Sequence, residues 1–237
     1  VKKSIQSISG STWSPSVLSA EGAFGAMYRL TGFHEPVLVS STDGIGTKIL
    51  LAAELGKYRT IGEDLVHACV NDIIVSGAMP IFFLDYIAVG SLKPMVLEEM
   101  IQGMAKACVS VGCSLVGGET AQLPGLYEPD SFDAAGFVVG AVEKSELVDG
   151  STVTSGDIVL GIASNGLHTN GYSLARDVLG LDNNMAALSE PCVGLPGTVG
   201  EALVAPHRSY YSEAKALRPL VKAMAHITGG GLVENVP

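Results

Sequence analysis

Three apolar runs in this chain are each followed by a short polar cluster flanked by glycines. The clusters are Thr42-Asp43-Gly44, Gly117-Gly118-Glu119-Thr120 and residues 165–171. The runs have the composition of β-strands, and two of the clusters lead into segments with helical composition. This alternation predicts an α/β (α+β) enzyme whose ligands bind where the strands end, because glycine-containing loops at strand ends are common ligand sites.

The apolar periodicity divides the chain into predicted elements and two domains. Strands are predicted at 36–40, 80–89, 114–116, 137–142 and 157–163, and helices at 48–55, 60–78, 93–111 and 172–179. Residues before 30 are predicted to be irregular apart from a short helix over 22–30, 181–198 a surface loop, and 199–225 mostly helical. The polar connection 143–156 predicts a boundary between an N-terminal domain, 1–143, and a second domain, 144–237.

The composition indicates a folded protein and excludes some partners. The 237 residues are 47% apolar and 16% charged, and the net charge is −10 without any basic stripe, so we expect no nucleic-acid partner. The most apolar stretch, 80–89, is too short to cross a bilayer, and no signal peptide is recognised at the start, so no membrane partner is expected. Four cysteines without a CxxC pair predict buried thiols in a cytoplasmic protein.

Three acidic residues are candidate ligands for magnesium. Asp43 and Glu119 lie beside glycines, where the backbone can approach a phosphate, and carboxylate oxygens are the ligands that Mg²⁺ prefers. Asp43 is also compatible with an ordinary Asp-Gly turn, and Glu119 with a helix cap or a solvated side chain. Asp72 lies two helical turns after Leu65, close to an apolar stripe, and a carboxylate there needs a partner.

Phosphate chemistry in this chain must use a design other than the common nucleotide motifs. No GxxxxGK[ST] occurs, and Gly44-Ile45-Gly46 lacks the third glycine of a dinucleotide fingerprint. Lys48 either neutralises phosphate charge or is a solvated helix residue.

Among the five histidines, His168 has the strongest functional context. It lies between Asn165-Gly166 and Asn170-Gly171, directly after a predicted strand, where an imidazole can hydrogen-bond a substrate or move a proton. His34, His67 and His207 are predicted to be structural. His226, before the triple glycine 229–231, is ambiguous, and three glycines alone are a weak signal for an anion site.

Six segments in collinear order resemble one family. They are STDGIGTK (41–48), TIGEDLVHACVNDI (60–73), PIFFLDYIAVG (80–90), SLVGGETAQLPGLY (114–127), SNGLHTNGYSLAR (164–176) and HITGGGLVENVP (226–237). Together they resemble the phosphoribosylformylglycinamidine cyclo-ligase family, also called aminoimidazole ribonucleotide synthetases.

The resemblance implies a reaction in purine biosynthesis. ATP activates the formyl amide oxygen of formylglycinamidine ribonucleotide, an amidine nitrogen closes the imidazole ring, and ADP and phosphate leave. It implies catalytic roles for Asp43, Asp72 and His168, with Mg²⁺ held by Asp43, Asp72 and Glu119. The implied ATP-contacting residues are Thr42, Gly44, Gly46, Thr47, Lys48, Gly117 and Gly118, and the implied substrate contacts are Thr120, Asn165, Asn170, Gly229, Gly230 and Gly231.

The same resemblance implies an architecture and its rivals. The family fold has two α/β domains, the N-terminal mixed sheets pair into a homodimer, and ATP and substrate lie between the domains. Because family members extend beyond both ends of this chain, the second domain is expected to be incomplete, and a monovalent cation is a further candidate cofactor. The alternatives are another ATP-using enzyme of the superfamily, of the selenophosphate synthetase or thiamine monophosphate kinase type, or an inactive nucleotide-binding fragment.

Overall fold

A four-stranded mixed sheet forms the centre of the computed structural model, which describes residues 2–20 and 23–236. The strands are β1 (Pro36–Gly44), β2 (Met79–Val89), β3 (Ser114–Gln122) and β4 (Phe132–Glu143), in the spatial order β1-β4-β2-β3. Strand β4 is antiparallel to both neighbours, whereas β2 and β3 are parallel. A parallel pair requires a crossover connection, which here contains a helix.

The described residues also form eight α-helices, and the two longest of them pack on one face of this sheet. The eight helices are α1 (Lys2–Gly10), α2 (Lys48–Glu54), α3 (Tyr58–Ile74), α4 (Pro94–Ser110), α5 (Tyr172–Val178), α6 (Val199–Leu203), α7 (Tyr211–Leu217) and α8 (Gly231–Asn235). Short 3₁₀ turns occupy Lys144–Glu146, Met185–Ser189 and Arg218–Leu220. Helices α3 and α4 pack on the sheet and on each other, and the segments after β4 wrap the free side of α3.

The alternation along β2 determines which sheet face is covered. Phe83 and Ile87 are fully buried under the helices, together with Asp85. Leu84 and Tyr86 point to the other face and are partly exposed. Successive side chains of a strand point to opposite faces, so the sheet has one interior and one open face.

Two glycines allow α3 and α4 to approach closely. A Cβ atom on Gly62 would lie 2.0 Å from the carbonyl oxygen of Met100, and one on Gly103 would lie 2.0 Å from that of Arg59. Because these neighbours are backbone atoms in packed helices, they cannot move aside cheaply. The contact between the two long helices therefore requires glycine at both positions.

Most predicted elements are confirmed, but β1 and β3 are longer than predicted. Strand β1 continues through Asp43 and Gly44, which pair with Gly136 and Ala135 of β4. The alternative reading of Asp43-Gly44 as a turn is therefore wrong. Similarly, the polar cluster 117–120 lies within β3, where backbone pairing with β2 overrides the low strand propensity of glycine.

The N-terminal predictions are wrong. Helix α1 was not predicted from its serine-rich sequence, and it forms because Ile5 and Ile8 pack against the core. Conversely, the predicted helix over 22–30 is absent from the described residues 23–30, where Tyr28 pairs with Val17 in an isolated bridge. Gly22 lies outside the described residues. Long-range packing decides both outcomes, since neither segment has strong local periodicity.

Two further predictions fail after β4. The segment 157–163 forms no strand, and its apolar residues Ile158, Val159 and Leu160 are exposed. A strand needs a hydrogen-bonding neighbour, and no described strand pairs with this one. The predicted loop 181–198 instead contains a 3₁₀ turn, and its Leu181 and Leu188 are buried in the core.

The helical content of 199–225 is also lower than predicted. Only α6 and α7 form, separated by an irregular segment that contains Pro206. Cys69, Cys108 and Cys113 are buried free thiols, as predicted, whereas Cys192 is partly exposed. In the described part of the chain, no helix has the length and apolarity needed to span a bilayer.

We expect Gly103→Ala to lower the free energy of unfolding by about 1–3 kcal/mol, because the added methyl group must separate α3 from α4. Urea denaturation followed by circular dichroism measures this loss. The matched control is Gly161→Ala, where a Cβ meets nothing within 4 Å and φ is not positive. Equal stability of the two variants would contradict the close helix contact.

Candidate active site

The site is built where the segment 205–210 lies on the polar side of α3. His207 donates its backbone N–H to Oδ1 of Asp64 at 2.6 Å, and its carbonyl oxygen accepts from Nδ1 of His67 at 2.6 Å. Asn71 donates Nδ2 to the carbonyl oxygen of Arg208 at 2.9 Å and accepts from the backbone N–H of Tyr210 at 3.0 Å. The polar side of α3 is therefore covered by the 205–210 segment.

Lys48 and Asp64 form a buried ion pair under this segment. Nζ of Lys48 lies 2.8 Å from Oδ2 of Asp64, both side chains are fully buried, and Nζ also donates to the carbonyl oxygen of Ala205 at 2.7 Å. Burial raises the pKa of Asp64 to about 6, although the nearby ammonium opposes that rise, and burial lowers the pKa of Lys48. The prediction that Lys48 contacts a phosphate is corrected, because its ammonium faces Asp64 and has no exposed surface.

Asp72 has two hydrogen-bonding partners, as its position beside an apolar stripe requires. Ser41 of β1 donates Oγ to Oδ2 at 2.8 Å, and Nδ1 of His226 lies 2.8 Å from Oδ1. The His226 side chain is 10% exposed, and its Nε2 is buried without a hydrogen-bond partner in the described structure. The carboxylate therefore orients an imidazole whose second nitrogen is free.

Asp43 lies near this pair on the interior face of the sheet. Burial raises the pKa of Asp43, the backbone N–H of Gly44 at 2.8 Å lowers it, and the charge of Asp72 raises it again. The charge of Asp72 acts on Asp43, so the two carboxylates repel each other when both are ionised. A divalent cation with oxygen ligands would relieve that repulsion, so Asp43 and Asp72 fit the magnesium prediction.

Glu119 does not join these acids. One row across the sheet runs from Asp43 through Gly136 and Asp85 to Gly118. Strands β1 and β3 are therefore three strand spacings apart, a distance of roughly 14 Å. Glu119 is also on the open face with Tyr86, opposite to Asp43. The prediction that Glu119 shares an ion with Asp43 and Asp72 in one chain is therefore corrected.

Asp85 is a buried acid that was not among the predicted site residues. It is 7% exposed, and burial, with a smaller effect from the charge of Glu119, raises its pKa to about 7. A Cβ atom on Gly118 would lie 2.2 Å from Oδ1 of Asp85, so the carboxylate occupies the space above this glycine. The sequence indicates such a residue by placing an acid inside the most apolar run of the chain.

Three histidines from distant parts of the sequence meet above α3. His168 and His207 stack at 4.1 Å between ring centroids with an interplanar angle of 14°, and His207 lies 5.6 Å from His226. Each offers a ring nitrogen, and these atoms all lie within 4.8 Å of one another. Burial, then the charges of nearby His226, Lys48 and Arg208, lower the pKa of His168 to about 4, so it is neutral at pH 7.

The structural reading of His207 missed its place in this cluster. His207 is 39 positions from His168 and 19 from His226, and no periodicity of helix or strand links such separations. His34 is exposed on the surface, and His67 contacts only the backbone of His207.

The remaining predicted residues flank the cluster or lie apart from it. Thr47 Oγ1 is 3.2 Å from Ser173 Oγ, and Asn165 donates Nδ2 to the carbonyl oxygen of Pro206 at 2.8 Å. Asn170 is exposed beside His168. Three of the predicted ATP contacts, Thr42, Gly44 and Gly117, lie on or beside the open sheet face, Gly46 is exposed before α2, and Thr120 lies in β3.

An open cleft adjoins Asp72 and His226. Its volume is about 450 Å³, and its polar lining includes Ser41, Asp72, His226, Thr228 and Asn235. The glycines 229–231 border it, and Asn235 Nδ2 donates to the carbonyl oxygens of Gly229 and Gly231 at 3.0 and 2.7 Å. The cleft offers carboxylate oxygens, hydroxyl and amide side chains and exposed glycine backbone, groups that suit a polar ligand with N–H donors. Nε2 of His226 is buried beside the cleft.

Family models match both halves of this site. The model described as "AIR synthase related protein, N-terminal domain" matches residues 25–142, and the corresponding C-terminal domain matches residues 154–237. The chain belongs to the AIR synthase family. In this family member, the N-terminal match contains Asp43 and Asp72, and the C-terminal match contains the three clustered histidines.

Curated relatives of this AIR synthase family member carry one name. The phosphoribosylformylglycinamidine cyclo-ligase of Carboxydothermus hydrogenoformans is 51% identical over all of this chain and 70% of its own length. The enzyme of the same name from Streptococcus uberis is 51% identical over 93% of this chain and 65% of its own length. The chain thus spans about two thirds of the relatives it matches.

Solved structures share the fold at lower identity. A thiamine-monophosphate kinase from Stenotrophomonas maltophilia has a TM-score of 0.69 at 16% identity, covering 99% of this chain and 68% of the other. The E. coli hydrogenase maturation protein HypE has a TM-score of 0.60 at 18% identity, covering 98% and 66%. These likenesses confirm the predicted fold class.

Replacing Lys48 by Met should lower the free energy of unfolding by about 3–5 kcal/mol, because the buried carboxylate of Asp64 loses its countercharge. The double variant Lys48→Met/Asp64→Leu should recover part of that loss, since no charge is then buried. Denaturant unfolding of both variants provides the measurement.

The control for this experiment is Lys144→Met, which breaks an exposed ion pair with Glu35 and should cost less than about 1 kcal/mol. If Lys48→Met were as stable as this control, the ion pair would not hold the 205–210 segment.

Proposed function

We propose that this chain is an ATP-dependent cyclo-ligase that converts formylglycinamidine ribonucleotide to aminoimidazole ribonucleotide in purine biosynthesis, with release of ADP and phosphate. The observation that carries this proposal is 51% identity over the whole chain to a phosphoribosylformylglycinamidine cyclo-ligase. The paired acids and the imidazoles beside an open cleft supply groups that this chemistry needs.

ATP and Mg²⁺ are proposed to bind near the end of β1. Asp43 and Asp72 would hold the ion, which offsets negative charge on the phosphates when bound. Gly44 and Gly46 are exposed there and carry no side chain, so a phosphate can approach the backbone closely, although the N–H of Gly44 is already donated to Oδ1 of Asp43. A monovalent cation is a further candidate cofactor.

His168 is proposed to contact the reacting amidine. With a pKa of about 4 it is uncharged at pH 7, and a neutral imidazole can accept a hydrogen bond from an amidine N–H as the ring closes. Asn165, Asn170 and the glycines 229–231 border the same region and are proposed as substrate contacts. These contacts would orient the substrate for ring closure. Holding the amidine nitrogen close to the activated carbon removes much of the reaction barrier.

The proposed domain division is 1–143 and 144–237, with the second part contributing to the substrate site. The family models support it, since one ends at 142 and the next begins at 154. Cytoplasmic location is proposed from three buried free thiols, which are typical of a reducing compartment, and cell fractionation would check it.

Phosphate release from ATP should depend on both Mg²⁺ and formylglycinamidine ribonucleotide. Asp43→Asn should lower this rate about 100-fold or more, because it removes a charge that holds the ion near the phosphates. The matched control is Asp133→Asn, an exposed acid on β4 that should leave the rate unchanged. A coupled phosphate assay on the full chain measures all three proteins.

Two outcomes would contradict the assignment. Phosphate release that requires thiamine monophosphate or selenide, with none for formylglycinamidine ribonucleotide, would favour another enzyme of the superfamily. Magnesium-dependent ATP binding without turnover would favour the inactive-fragment alternative.

We also propose that the chain pairs through the open face of its sheet. Leu38, Phe137 and Tyr86 are 61%, 42% and 37% exposed there, and Phe137 lies between Thr42 and Leu84 in one row across three strands. An apolar sheet face of this extent is typical of a protein interface. An isologous dimer would cover it in both copies.

Sedimentation equilibrium should therefore give twice the chain mass, and Phe137→Lys should shift the protein to monomer because it places a charge in the interface. Leu174→Lys on α5, at an apolar position that is 67% exposed, is the control and should remain dimeric. A monomeric unmodified chain would contradict the proposal.

A further inference from the structure

His207 is the most firmly held side chain of the histidine cluster. It is 1% exposed, its backbone N–H and C=O are both hydrogen-bonded to α3, and both ring nitrogens have neighbours. Nε2 lies 3.1 Å from Nδ2 of Asn71, and Nδ1 lies 3.4 Å from Oγ1 of Thr169. A ring held from both ends and through its own backbone cannot easily change rotamer.

The contacts of Asn71 define the tautomer of this ring. The Asn71 amide oxygen accepts from the backbone N–H of Tyr210, and its Nδ2 donates to the carbonyl oxygen of Arg208. The second hydrogen on Nδ2 therefore points to Nε2 of His207, which accepts it. The ring proton is then on Nδ1, directed at Thr169.

This tautomer argues against a three-histidine metal site. The free lone pair of His207 is already used by Asn71, and the ring planes of His168 and His207, in which the nitrogen lone pairs lie, are within 14° of parallel. Zinc with three imidazoles needs nitrogen atoms that converge at about 2.0–2.1 Å from one ion. The cluster therefore has a use other than metal binding.

His168 depends on this ring for its own placement. Its φ is +58°, and no other non-glycine residue among those described has a positive φ. The His168 ring lies on His207 at 4.1 Å between centroids and also contacts Tyr210, whose hydroxyl oxygen lies 3.4 Å from Nε2. An unusual backbone conformation persists when surrounding structure holds it, which is common at functional sites.

We propose that His207 is a positioning residue for His168, presenting a flat, uncharged imidazole that fixes the orientation of the His168 ring toward the substrate. The inference deepens the proposed function, because it takes the contact between His168 and the amidine from it. His207 itself does not reach the reacting atoms, since its ring nitrogens are occupied by Asn71 and Thr169.

The surroundings of both rings keep them neutral. Burial, followed by the charges of the neighbouring histidines and Lys48, lowers the pKa of His207 to about 2. The titratable and charged groups near His168 are His226, Lys48 and Arg208, besides the Tyr210 hydroxyl and His207 itself. Removing the His207 ring would uncover one face of His168 to water and leave these charges in place.

The test uses histidine titration by NMR on the full chain with labelled imidazoles, which is practical because the sequence has five histidines. His207→Asn can still accept from Asn71 but lacks the flat ring, so the pKa of His168 should rise from about 4 toward its ordinary value. His207→Phe keeps a ring to stack on and should leave the pKa of His168 near that of the unmodified protein. His34→Asn, on the surface, is the control.

The kinetic readout separates positioning from general stability. In His207→Asn, kcat for substrate-dependent phosphate release should fall about 100-fold with little change in KM, and His207→Phe should restore most of it. An unchanged His168 titration and unchanged kcat in a folded His207→Asn protein would overturn the inference. So would stoichiometric binding of Zn²⁺ by the unmodified chain that His207→Asn abolishes.

One measurement depends neither on the folding of a variant nor on the proposed reaction. Ring protons of His168 and His207 in the unmodified protein should show a mutual nuclear Overhauser effect at pH 7, and its absence would reject the stack. If the unmodified chain releases no phosphate, the proposed function fails, while the titration of His168 still tests the role of His207.

Discussion

The buried ion pair between Lys48 and Asp64 connects the two parts of the candidate site. Lys48 also binds the carbonyl oxygen of Ala205, and Asp64 also accepts the backbone N–H of His207. Two opposite charges without solvent are tolerated only when their remaining hydrogen-bonding capacity is used, and here the 205–210 segment uses it. The position of His207, and through it the histidine cluster, follows from this pair.

Helix α3 is consequently interior on nearly every side. The sheet covers one side, α4 another, and the 205–210 segment covers the polar side that carries Asp64, His67 and Asn71. The polar side chains of this helix form hydrogen bonds to the backbone of a distant segment and so hold that segment in place. The segment supplies hydrogen-bond partners to Asn71, to Oδ1 of Asp64 and to Nδ1 of His67, whereas Nε2 of His67 is buried without one in the described structure. Burying a polar atom without a partner is costly.

The acids of the N-terminal part are divided between the two faces of the sheet. Asp43 is on the interior face with Asp85, whereas Glu119 is on the open face with Tyr86. This division limits a shared ion in one chain to Asp43 and Asp72. Gly118 has a structural role on the interior face, since its missing side chain leaves the space that the Asp85 carboxylate occupies.

The sequence by itself determined the order of most strands and helices, the α/β class and the family, because these depend on local periodicity and on collinear motifs. It also indicated that Asp72 needs a partner. Only the tertiary structure decided that the partner is His226, that Lys48 faces Asp64, and that His207 stacks on His168. Each of these contacts joins residues more than 15 positions apart, where the geometry depends on how the chain packs and no local spacing records it.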